Sequence, residues 1–153
     1  AGESIPGVVV IRSLTKTWAI PGIRAGYVLG DESIVAELAA HQPPWSVSTP
    51  AAAAMIACAS AAATVEAERA AVQIAADRAV LVDGLTALGV AVAGPSAAPF
   101  VLAHVPAGTR ERLRGRGFAV RRGDTFPGLG ADWVRIAVRD PQTTAALLEA
   151  WPT

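Results

Sequence analysis

The chain is poor in several residue types, and each shortage narrows what it can be. There is one cysteine, Cys58, in 153 residues. No internal disulfide is possible, and a single thiol fits a reducing cytoplasm better than a secreted scaffold. His41 and His104 stand alone, and Cys58 lies in an alanine-rich stretch, so no metal site is predicted. Net charge is absent too: thirteen basic residues balance thirteen acidic ones. A neutral surface exerts no global pull on nucleic acid or on an acidic membrane. No long hydrophobic run exists. Ala51–Ala63 is apolar but short and mostly alanine, so it reads as a helix rather than a bilayer span. The opening Ala1-Gly-Glu-Ser has no basic leader region. The scarcest residue is lysine: Lys16 stands alone against twelve arginines, an imbalance that reads as GC-rich coding bias.

What is present can build a core. Just over half of the residues (52%) are hydrophobic, which argues against disorder. Val8-Val-Val-Ile11 is β-branched without alternation, so it predicts a strand, Val8–Arg12, buried on both faces as in a parallel sheet. Such a strand needs neighbours that the chain scarcely supplies, and we expect an N-terminal portion to be missing. Ser13–Gly22 reads as a loop holding Lys16, and Arg24–Leu29 as a second strand.

Three helices are expected next. Asp31 caps one to about Ala40, and Thr49-Pro50 opens another to about Ala62. A long one spans about Thr64 to Leu88, with Ile74, Leu81, Leu85 and Leu88 on one face and Gly89 as its stop. Then the pattern changes. Val90–Val92, Phe100–Val105, Phe118–Val120 and Trp133–Val138 read as strands, Thr109–Arg114 as a short basic helix, and Asp140-Pro141 as the start of a last helix to about Ala150. The class is α/β: the tail of a parallel layer followed by a small α+β domain. The expected division is 1–62, a bridging helix 63–89, and 90–153.

One segment carries chemistry: Ser13-Leu-Thr-Lys-Thr-Trp-Ala-Ile-Pro-Gly-Ile-Arg-Ala-Gly-Tyr27. Lys16, Pro21-Gly22, Arg24 and Gly26-Tyr27 resemble the Schiff-base motif of class I/II (fold type I) aminotransferases, which depend on pyridoxal 5'-phosphate (PLP). Several fixed positions together make a specific signal, where a lone loop lysine would mean nothing. The resemblance implies that Lys16 is the catalytic, cofactor-binding lysine and that Arg24 and Ser13 bind the cofactor phosphate. Thr15 is a weaker candidate. The chemistry is consistent: an amine must be neutral to attack a carbonyl, and a guanidinium makes charge-assisted hydrogen bonds to phosphate. Outside the motif, the same residues would read as a surface lysine, a strand-capping arginine and loop hydroxyls.

Phe118-Ala-Val-Arg-Arg122 and Trp133-Val-Arg-Ile-Ala-Val138 resemble the family's closing region. The resemblance implies that Arg135 binds the substrate carboxylate and that Arg121 is a further substrate-binding cation. Arg122 and Arg139 are additional candidates, equally readable as solvated charges. Arg139 stands where many relatives have glycine. Within the family, Pro43-Pro-Trp-Ser-Val47 and the closing region resemble the branch of histidinol-phosphate aminotransferases and the threonine-phosphate decarboxylases of cobalamin biosynthesis. The chain then corresponds to the C-terminal remnant of the large domain plus the small domain.

The resemblance implies a cytoplasmic enzyme, homodimeric as a full-length parent, acting on a small-molecule amino acid or phosphorylated amino substrate. Transamination is the expected reaction and phosphothreonine decarboxylation the alternative. The family's pyridinium-binding aspartate, ring platform and Gly-rich phosphate turn have no counterpart here, so the isolated fragment is expected to hold PLP weakly and to be inactive. Two other classes compete. Arg110, Arg112, Arg114, Arg116, Arg121 and Arg122 form a basic cluster, but sparse aromatics and interrupting glycines make nucleic-acid binding the weaker expectation. A non-catalytic, self-associating fragment is the third reading.

Overall fold

The computed structural model describes residues 6–152. Ala1-Gly-Glu-Ser, read above for a leader, lies outside them. The chain divides into two compact units, Ala1–Glu68 and Arg69–Thr153.

The first unit begins with an antiparallel pair, β1 (Val10–Ser13) and β2 (Gly26–Leu29), in the register Val10↔Leu29 to Ser13↔Gly26. Of the neighbours that a strand buried on both faces needs, the described residues supply one. Among the described residues β2 is the sole partner of β1, it runs antiparallel, and Ile11 is 77% exposed. A β-branched run dictates extended backbone; it does not dictate what covers it. The expected loop at Lys16 is also more ordered than its sequence suggests. Leu14–Thr17 forms one helical turn, α1, closed by Trp18 N–H donating to the Leu14 carbonyl at 3.1 Å. β2 starts two residues later than expected because Arg24 adopts a left-handed backbone, φ 56°.

Three helices follow: α2 (Glu32–Ala40), α3 (Thr49–Cys58) and the start of α4 (Ala61–Ala87). Their boundaries move by a few residues from expectation, each for a visible reason. Ser48, rather than Thr49, caps α3 by accepting Ala51 N–H at 3.3 Å. Ser60 accepts Ala63 N–H at 3.2 Å, so it ends the alanine stretch early and opens α4 at Ala61. Asp31 precedes α2 as expected, yet its carboxylate accepts Gly7 N–H at 2.9 Å and makes no cap bond. No single helix among the described residues is long and apolar enough to cross a membrane.

The second unit is a four-stranded antiparallel sheet ordered β3 (Ala91–Val92), β4 (Phe100–His104), β6 (Trp133–Ala137), β5 (Arg121–Arg122). Helices α5 (Thr109–Gly115) and α6 (Pro141–Glu149) belong to the same unit. Alternation decides the faces. Val101 and Ala103 of β4 and Val134 and Ile136 of β6 are buried, and they share one core with Leu81, Leu85, Leu113, Leu147 and Trp151. Phe100, Leu102, Trp133 and Arg135 alternate with them and belong to the opposite face.

Of the four apolar residues predicted on one face of the long helix, Leu81 and Leu85 are buried and Ile74 is half-buried. Leu88 is 45% exposed, because the helix ends at Ala87 and Gly89 turns the chain at φ 75°. The strand expected at Phe118–Val120 is found instead at Arg121–Arg122. Phe118 N–H still closes α5 by donating to the Leu113 carbonyl at 2.9 Å, and pairing with β6 begins only at Arg121.

Asp140 caps α6 as its cap-then-proline signal predicts, accepting Thr143 N–H at 2.8 Å and the Thr143 hydroxyl at 2.7 Å. These bonds, the Thr143 N–H foremost, lower the Asp140 pKa below its ordinary value. A depressed folded-state pKa gives stabilisation that is complete above the unfolded value and is lost as pH falls through the folded one. Acidification below about pH 4 should therefore fray the first turn of α6 before the sheet opens. The Thr143 amide resonance should shift and exchange faster over that range; an amide indifferent to acid would contradict the role of the cap.

Candidate functional site

The Lys16 segment is shaped by the strand pair beneath it. Ser13 ends β1 opposite Gly26, and Leu14 N–H donates to the Ala25 carbonyl at 3.1 Å, which extends the pairing one step beyond the ladder. The chain then makes the α1 turn, with Lys16 as its third residue. Ala19 is left-handed at φ 51°, Ile20 N–H donates to the Thr15 carbonyl at 3.2 Å, and Pro21–Ile23 forms a 3-10 turn that returns to Arg24. Lys16 and Arg24 thus flank the same end of the β1–β2 pair. A left-handed arginine is a strained backbone choice, of the kind concentrated at functional sites. Gly26 permits the close approach: a Cβ there would lie 2.7 Å from the Arg12 carbonyl oxygen.

The polar groups at this end form a donor set. The Ser13 and Thr15 hydroxyls lie 2.7 Å apart, Thr15 is buried, and Ser13 is exposed. With Thr15 as donor, Ser13 keeps its own proton for an outside acceptor. Thr15, the weaker candidate in the sequence, is therefore the inner member that can orient Ser13. Arg24 Nη1 donates to the Pro21 carbonyl at 3.2 Å, and its guanidinium has four further N–H groups. Lys16 is exposed. Two hydroxyls, a guanidinium and a primary amine at one sheet end fit the phosphate and aldehyde of PLP in chemical type.

A cavity of about 170 Å³ borders this segment, lined in part by Ser13, Trp18, Tyr27 and the half-buried Cys58. Trp45, in the Pro43-Pro-Trp-Ser-Val47 segment, is 97% exposed with φ 59°.

The second unit holds the other candidates. Arg135 is half-buried on β6 and lies directly opposite Arg121 of β5. The Arg135 guanidinium carbon sits 4.6 Å from the Phe100 ring centroid and 5.6 Å from that of Phe126; Arg121 sits 4.8 Å from Phe126. Neither phenylalanine stood out in the sequence. The one signal was an aromatic five residues past Arg121, in Thr125-Phe126-Pro127. Arg122 does not join this group. It binds Asp124 through Nε and Nη2, and this pairing holds the Asp124 carboxyl below and the Arg122 guanidinium above their ordinary pKa values. Arg139 is exposed and borders an apolar cavity of about 350 Å³ with Phe118, Val120 and Leu147.

The basic cluster is not a free stripe. Arg110 pairs with Glu111 at 3.1 Å, Arg112 donates to the Thr109 hydroxyl at 3.0 Å, and Arg116 donates to the Ala150 carbonyl at 2.7 Å. His104 Nε2 is bonded to Asp132 at 2.8 Å, and His41 Nδ1 lies 2.9 Å from the Glu37 carbonyl. Among the described residues no three histidine, cysteine or carboxylate side chains cluster as metal ligands would.

The chain resembles known proteins along nearly its whole length. The family model for aminotransferase class I and II matches residues 2–150. A histidinol-phosphate aminotransferase of Mycobacterium tuberculosis is 43% identical over 153 residues, covering 97% of this chain and 42% of that protein. A threonine-phosphate decarboxylase of Salmonella typhimurium is 30% identical over 149 residues, covering 95% of this chain and 40% of that protein. Among solved structures, the histidinol-phosphate aminotransferase of Clostridium acetobutylicum superposes with a TM-score of 0.82 at 31% identity, over 94% of this chain and 44% of that one. The chain therefore spans well under half the length of these relatives. Its fold is the α/β fold of PLP-dependent aminotransferases, and by the match of nearly its whole length the chain belongs to the aminotransferase class I and II family.

Proposed function

We propose that this chain supplies the C-terminal part of a PLP-dependent aminotransferase acting on an amino acid or a phosphorylated amino compound, with Lys16 as the cofactor-bearing lysine. The reading is carried by one observation: Lys16 and Arg24 flank the same end of β1–β2 where the Ser13 and Thr15 hydroxyls meet at 2.7 Å. In this role Lys16 holds PLP through its amine, and the Arg24 guanidinium and Ser13 hydroxyl hold the phosphate. Thr15 orients Ser13. When bound, PLP supplies an electron sink for the bonds at the substrate Cα. The Lys16 amine would accept the proton from the substrate Cα and would later give a proton back. Arg135 grips the substrate carboxylate in a planar, two-bond geometry, and Arg121, opposite it in the ladder, offers a second cation beside it. In the whole protein the active unit is a homodimer.

The same residues could serve decarboxylation, in which the carboxylate rather than the proton leaves Cα. The Salmonella relative, by its name a threonine-phosphate decarboxylase, keeps this alternative in view. The two separate by product. The whole protein, loaded with PLP, should transfer an amino group from histidinol phosphate or another amino donor to an oxo-acid acceptor. Carbon dioxide released from threonine phosphate without amino transfer would replace the first reading by the second. Neither product from any donor would contradict both.

A further inference from the structure

Two like charges directly opposite each other in an antiparallel ladder repel. Arg121 and Arg135 are such a pair, in the register of β5 and β6. Among the described residues neither has a carboxylate partner, whereas Arg110 and Arg122 in the same unit do. What the two share instead is Phe126, whose ring lies 4.8 Å from one guanidinium carbon and 5.6 Å from the other. Phe100 takes a second position on Arg135, at 4.6 Å.

The turn that delivers Phe126 is pinned at three points. Gly123 N–H donates to the Trp133 carbonyl at 2.7 Å, and Gly123 packs so closely that a Cβ there would lie 2.5 Å from the Trp133 Cβ. Asp124 is engaged by Arg122, which leaves that carboxylate unavailable to Arg121 and Arg135. Phe126 N–H then donates to the Gly123 carbonyl at 2.8 Å, closing the turn with the ring half-buried. Arg122, Gly123 and Asp124 thus hold the turn that sets the Phe126 ring against two cations.

We infer that Phe126 is a positioning residue: it holds Arg121 and Arg135 together, with their charge uncompensated, as a preformed clamp for an oxyanionic group of the substrate. A guanidinium stacked on a ring keeps its N–H edge free for such a group while losing side-chain freedom in advance. The inference rests on the reading of Arg121 and Arg135 as substrate-binding residues, but not on Lys16 or on PLP.

The test uses the whole protein without PLP and inorganic phosphate, followed through the Nε–Hε resonances of Arg121 and Arg135. In the wild type, both arginines should show ring-current shifts, and both should move on one shared binding curve as phosphate is added. Phe126→Leu should weaken phosphate binding about three- to tenfold and erase the Arg121 ring-current shift. Phe126→Tyr should keep both. Unchanged affinity in Phe126→Leu would overturn the inference, as would loss of affinity in Phe126→Tyr. Should the leucine variant not fold, the wild-type titration decides: separate curves for the two arginines, or no phosphate binding, overturn it. Failure of Lys16 to carry PLP would sink the enzyme reading and leave this result untouched.

Discussion

Lys16→Ala in the whole protein should lower amino-group transfer by more than about a thousandfold, because one side chain both carries the cofactor and moves the proton. The same substitution should leave the fold intact. In this chain Lys16 is exposed in the α1 turn and its side chain makes no hydrogen bond among the described residues, so with no PLP bound its removal should change stability by no more than about 0.5 kcal/mol. The pairing of near-total inactivity with unchanged unfolding distinguishes a chemical role from a structural one. Lys16→Arg should not rescue, since guanidinium stays charged and is no nucleophile near neutral pH. Turnover assays and denaturant unfolding on the same preparations check both halves.

The second large effect is on stability. Leu85 is fully buried in the core of the Arg69–Thr153 unit, among Leu81, Val101, Val134 and Leu147. Leu85→Ala should cost about 2–5 kcal/mol, a lost transfer term plus a cavity that neighbours fill only partly. Against a typical total of roughly 5–15 kcal/mol, that is enough to bring the unit near unfolding at body temperature. Val72, on the same helix, is 73% exposed. Val72→Ala should stay within about 0.5 kcal/mol of the wild type. Urea midpoints of the two variants give the comparison. Equal losses would mean that the helix face has been wrongly assigned.

Local signals made much of the fold legible. Asp140-Pro141 specified a capped helix start, and Trp133–Val138 was legible as a strand, observed at Trp133–Ala137. The pattern of Leu81 and Leu85 gave the buried face of α4. What could not be read depended on partners remote in sequence. The valine run of β1 has the character of a parallel strand, but β2, its one partner among the described residues, runs antiparallel. Phe118–Val120 has strand propensity, yet the closing bond of α5 holds Phe118 back from the sheet. Ser60 outweighed the uniform alanine pattern by offering one hydroxyl to a helix N-terminus.

The candidate site divides along the same line. Lys16, Arg24, Ser13, Arg121 and Arg135 stood out because fixed spacing is visible in one dimension. Thr15 as partner of Ser13, Asp124 as partner of Arg122, and Phe126 beneath two arginines were not visible, because each role is a three-dimensional contact. The cluster of six arginines looked like one basic patch, whereas four of them have carbonyl, hydroxyl or carboxylate partners nearby in the fold.

The most direct measurement is chemical capture of the cofactor. The whole protein is incubated with PLP, reduced with borohydride, digested, and its peptides are mapped by mass. A pyridoxyl group on Lys16, and its loss when Arg24 and Ser13 are both replaced by alanine, is the predicted result. A protein that stays unlabelled, or a label at some other amine while Lys16 remains free, would contradict it.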